Sequence, residues 1–99
     1  MNDSSSHARQ WLAKAKNDLV AGERLIAAGG PYDAVCFHAQ QAAEKALKSL
    51  LAFAQAPIPH THIAVESRYD LEFSPDEQTA RQAVSLAGEV CAAVAAAID

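Results

Sequence analysis

Ninety-nine residues make one small domain, spanning 1–99, which at this size buries only about 60 to 65% of the surface its unfolded chain exposes. The formal charge of -4 and pI near 5.4 exclude unaided, affinity-driven binding to a phosphate backbone, which requires a basic patch. The 51% hydrophobic fraction is rich in Ala, a strong helix former with little apolar area, so helix propensity is high, core mass is modest, and dimerisation would offset the deficit.

The polar start MNDSSSHARQ lacks the apolar stretch of a secretory leader, and no run reads as long enough to cross a bilayer, so a cytoplasmic protein with no membrane contact is expected. A first helix is predicted from the Ser4 to Ser6 cluster, where a serine can cap it, to Gly29 and Gly30. Trp11, Ala15, Leu19, Gly22 and Ile26 form its apolar stripe, with Leu12 and Leu25 at the margins. Gly22 lowers helix propensity there and would let another helix approach closely. Asp18 falls at the edge of this stripe, where an ionised carboxylate needs a partner. Lys14 at i,i+4 and a cation from the second helix are the candidates.

The second helix is predicted from just after Gly30, with Pro31 in a tolerated first-turn position, to Phe53 or Ala54, before Pro57 and Pro59. Within it, FHAQQAAEKALKSLL places His38, Gln41, Lys45 and Lys48 in one arc of about 80° at 100° per residue. Tyr32, Val35, Cys36, Ala39, Ala43, Ala46, Leu47 and Leu50 lie on the other side, so the reading is a buried apolar face opposite a polar one. An imidazole, an amide and two ammonium groups in line suit a base edge and phosphates. The alternative is a solvated face with Glu44 and Lys48 as an ordinary i,i+4 pair. Phe37 on this polar side suggests a contact surface.

From Gln55 to Phe73 there is no helical periodicity. A third helix is predicted at SPDE (Ser74 to Glu77), with Ser74 as cap, Pro75 in the first position and Glu77 completing a capping box. Ala83, Leu86, Ala87, Val90, Cys91, Val94 and Ile98 then trace its apolar face, with Gln82, Ser85 and Glu89 on the wet side. Cys36 and Cys91 have no CxxC spacing and read as small core residues in a reducing compartment.

Four blocks taken together carry a family resemblance: AKNDL (Ala15 to Leu19), YDAVCFHAQQAAEKALKSLL with its HxxQxxEKxLK core, PxPHTH (Pro57 to His62) and VESRY (Val65 to Tyr69). In this order the chain resembles the prokaryotic HEPN domain. The resemblance implies an all-α, antiparallel, up-and-down helical bundle that forms homodimers. It also implies links to nucleotide binding, RNA cleavage and minimal nucleotidyltransferase partners, in toxin-antitoxin or defence-type cassettes. In the family pattern a further helix follows the TH block, whereas here His62 and Ile63 are adjacent, so one helix reads as short or absent between them.

Ribonuclease members of the group carry an Arg followed after four to six residues by a His. Arg9, Arg24, Arg68 and Arg81 have no histidine in that register, so acid–base cleavage lacks an imidazole beside its arginine unless His38 supplies one from another helix or chain. No catalytic residue is therefore assigned. His60 and His62 form an HxH pair in a Pro-rich turn without companion ligands, so no metal is assigned either. Asp18, Phe37, His62, Arg68 and Tyr69 are expected in structural or interface roles, Arg68 as a bidentate partner for Asp18 or Glu66. His38, Gln41, Lys45 and Lys48 are the expected ligand-binding set, for a nucleotide or a short RNA and with no resident cofactor. The leading expectation is a non-catalytic module that self-associates and binds a partner protein, a nucleotide or both. The rivals are a ribonuclease toxin with an altered motif and a purely structural dimerisation domain.

Overall fold

The computed structural model describes residues 3–57 and 74–98, which form three helices: α1 (Asp3–Ala27), α2 (Tyr32–Phe53) and α3 (Glu77–Ile98). The expected all-α bundle is what the chain forms. His60, His62, Arg68 and Tyr69, and the junction between His62 and Ile63, lie outside the described residues.

The two ends of α2, the end of α1 and the start of α3 each have an identifiable chemical cause. α1 stops where Gly29 and Gly30 take positive φ of 92° and 111°. Their amides close back on the helix, Gly30 N to Leu25 O at 2.9 Å and Gly29 N to Ile26 O at 3.2 Å, the paired bonds of a Schellman stop. α2 ends the same way, with Ala56 N on Leu51 O at 2.9 Å and Gln55 N on Ala52 O at 3.1 Å, but here a glutamine holds the left-handed position, at φ 60°. α2 opens one residue later than expected, at Tyr32, because Pro31 is extended and serves as the cap residue outside the helix instead of lying in its first turn. The start of α3 corrects the expectation. Asp76, not Ser74, is the cap: its Oδ1 accepts the Thr79 amide at 2.8 Å, because a carboxylate at the cap both bonds an orphan amide and faces the positive end of the helix dipole. Glu77, freed from the capping box, pairs with Arg81 Nη2 at 2.7 Å.

Directions follow from which residues meet. Ser49 reaches Ala8, Lys45 reaches Asp18 and Gly22 lies beside Val35, so α1 and α2 form an antiparallel hairpin. Tyr32 meets Glu77 and Cys91 meets Ala42, so α3 runs alongside α2 in the same direction and antiparallel to α1. α3 therefore begins at the end of the bundle where α2 began, so the described helices α2 and α3 are parallel and depart from the antiparallel, up-and-down order expected.

The core is built from small side chains. Among the described residues eight of the fourteen buried apolar side chains are alanine, so the helices pack closely while each contributes little transfer free energy. The expected apolar stripe of α1 is inside, with Ala8 added to it. Gly22 is buried too, yet a Cβ there would sit 3.5 Å from Val84 Cγ2 and 3.7 Å from Val35 O, ordinary contact, so the helix approach does not require glycine. On α3 the expected face holds for Ala87, Cys91, Val94 and Ile98, but Leu86 is 61% exposed and Ala80 takes a buried place instead. α3 also corrects the reading that no run could cross a bilayer: by length and composition it could, with mean hydropathy 1.3 over its best window. One side of it is packed into the bundle.

Candidate functional site

The faces of α2 are turned relative to expectation. Val35, Cys36, Ala39 and Ala46 are buried as expected, but so are Gln41, Ala42, Glu44, Ser49 and Ala52. Leu47 is 46% exposed, and Leu50, Phe37 and Phe53 are exposed as well. The arc expected to be wet thus lies against α1, and part of the arc expected to be buried faces outwards. The physical reason is Asp18. A carboxylate set into the packed stripe of α1 needs cations opposite it, and the only stripe of α2 that supplies them is the polar one.

Asp18 is the centre of the arrangement. Its Oδ2 accepts Lys45 Nζ at 2.6 Å and its Oδ1 lies 2.9 Å from His38 Nδ1. Burial pushes the Asp18 carboxyl up, but the hydrogen bonds from Lys45 and His38, with their charges, outweigh burial and hold it below the ordinary range. The predicted cation from the second helix is therefore the partner, not Lys14. An ionised carboxylate only accepts, so His38 Nδ1 donates to Asp18 Oδ1. The His38 side chain is about one-third exposed, and the Phe37 ring stands edge-on to it at 5.4 Å between centroids.

Lys48 is committed as well. Its Nζ lies 3.2 Å from Glu44 Oε2 and 5.1 Å from the centre of the Trp11 ring, so a cation–π contact backs the ion pair. The i,i+4 pair proposed from spacing forms, but deep in the hairpin instead of on a solvated face. Gln41 is 8% exposed. Two turns further on, Ser49 Oγ donates to the Ala8 carbonyl at 2.6 Å. His38, Gln41, Lys45 and Lys48 are thus brought to one seam, with their positive charge already answered by Asp18 and Glu44. A phosphate entering here would compete with two internal carboxylates.

Two participants were missed in the sequence: Trp11 as the platform beneath Lys48, and the outer row of α2. A signal for the first pairing existed. With a short turn at Gly29 and Gly30, an antiparallel hairpin sets residues at similar distances from the turn opposite one another, which brings Trp11 opposite Lys48. Cys36 and Cys91 are buried free thiols; burial raises both, with Asp33 adding to the rise at Cys36 and Lys16 opposing it at Cys91.

Compared with known protein families, the chain matches the model of the HEPN domain over residues 8–65, more than half its length and including both helices of the Asp18 seam. No curated protein matches significantly. No solved structure does either.

Proposed function

Because this chain belongs to the HEPN domain family, we propose that it acts by binding instead of by chemistry, self-associating and docking a partner protein. The setting is a toxin-antitoxin or defence-type cassette in which the partner is a minimal nucleotidyltransferase. One observation carries the reading: α2 keeps Phe37, Leu47 and Leu50 exposed while its cations are neutralised inside the hairpin. Leu47 and Leu50, three residues apart, share one face of α2, and adjoining large apolar side chains on the outside of a small acidic domain form a contact surface. The seam behind it supports that role by keeping α2 rigid.

The test is capture of a co-expressed minimal nucleotidyltransferase, read by co-purification and light scattering. Leu47→Glu and Leu50→Glu should weaken capture at least tenfold with helix content unchanged; capture unaffected by both, or no complex with the unsubstituted chain, overturns the partner reading. A narrower second reading, nucleotide binding at His38, Gln41, Lys45 and Lys48, is favoured by one observation, the one-third exposure of the His38 side chain. Lys48 lies over Trp11, so a phosphate that draws it away changes Trp11 fluorescence. An unchanged signal at millimolar nucleotide removes this reading.

A further inference from the structure

Away from the outer face of α2, the other side of the bundle has an open seam between α1 and α3. An apolar groove of about 420 Å³ is lined by Lys16, Leu19, Val20, Gly88, Cys91 and Ala95. It continues past Lys16 and Ala95 to Arg9, Leu12 and Ile98. Val20 is 40% exposed, and Gly88 adds no side chain on the opposite wall, so the floor is shallow enough to admit a helix.

The border of this groove carries a charge order. Arg9, Lys16 and Glu23 recur every seven residues, two helical turns, and so lie on one stripe of α1. All three are exposed, and the ion pairs among the described residues join Asp18, His38, Lys45, Glu44, Lys48, Glu77 and Arg81 and leave these three out. The stripe is therefore positive towards the start of α1 and negative towards its end, which makes it complementary to itself when reversed.

We infer that the α1–α3 groove docks a second copy of this chain about a two-fold axis, α1 against α1 and antiparallel. This rests on the self-association proposed above, assigns it a face, and leaves the outer face of α2 to the other partner. An axis passing between Leu19 and Val20 sets Lys16 opposite Glu23 of the partner subunit, and the symmetry makes the same pair a second time. The same axis covers Val20 with the partner's Leu19 and sets Leu12 opposite Ala27 of the partner subunit. A parallel arrangement would instead put Lys16 on Lys16, a like-charge clash that selects against it. The surface is large enough: α1 from residue 9 to 27 runs about 27 Å, and two packed helices present a face about 20 Å across, which approaches the roughly 1,000 Å² total that a specific interface needs.

Sedimentation velocity on the full chain at low salt tests this, using Lys16→Glu, Glu23→Lys and the double exchange, with circular dichroism confirming helix content. Each single exchange creates two like-charge pairs and should weaken the dimer at least tenfold, while the double exchange restores it. Val20→Arg, at the axis, should give a monomer. If the unsubstituted chain is a dimer and the single exchanges and Val20→Arg leave it so, this interface is wrong and self-association stands through another face. If the unsubstituted chain is a monomer throughout, self-association itself fails and this inference fails with it.

Discussion

Asp18 shows how one side chain turns a whole helix. Replacing it with Asn leaves one acceptor oxygen for two donors, Lys45 and His38, and turns an NH2 towards the other, and charge-assisted hydrogen bonds of this kind contribute roughly 1.5–3 kcal/mol each. Asp18→Asn is therefore expected to lose about 2 kcal/mol in denaturant unfolding at neutral pH. The pH dependence has a definite sign. The folded state holds Asp18 below its usual value, so its contribution is complete above the unfolded carboxyl value of about 3.9 and is lost as pH falls through the lower folded value. The difference between Asp18→Asn and the parent chain should accordingly shrink as unfolding is measured at successively lower pH below 4; a constant difference would show that charge is not the source. At the surface the effects are smaller. Asp76→Ala removes the acceptor of the Thr79 amide and should lower the melting temperature, whereas Ser74→Ala, at the position expected from sequence to be the cap, should leave it unchanged.

At the level of elements, the two stops of the hairpin predict different responses. The left-handed residue that ends α2 is Gln55, where a Cβ is disfavoured by roughly 1–2 kcal/mol. Gln55→Gly should raise stability by up to about 1 kcal/mol, measured by thermal unfolding. Gly22→Ala inside α1 should also stabilise, by about 0.5–1 kcal/mol, because the added methyl meets only ordinary contacts. Gly22→Val should destabilise, since further atoms have no room beside Val84. Helix positions were legible from the sequence because periodicity, the Gly29–Gly30 stop and the prolines are local signals. Helix rotation was not. Counting apolar residues points Leu47 and Leu50 inwards, but the match of Asp18 to His38 and Lys45 outweighs them, as an unanswered charge in a packed seam costs more than two partly exposed leucines.

For the whole molecule, an alanine core of this size leaves little reserve, so association and stability should be coupled. Unfolding midpoints are expected to rise with protein concentration if the dimer forms, because a partner that binds only the folded state stabilises it by mass action; a midpoint independent of concentration from micromolar to hundreds of micromolar would count against it. The amino-acid sequence determined that the chain is all-helical, where α1 and α2 begin and end, and which family it joins, since all of these follow from propensity, capping and short motifs along the chain. Only the tertiary structure decided that α3 runs with α2 and that the polar stripe of α2 is an internal seam. Among the described residues it also left two separate apolar faces exposed, one on α2 and one between α1 and α3. Those outcomes depend on which charges meet across the hairpin and how closely small side chains let helices approach, and neither is a property of any one segment.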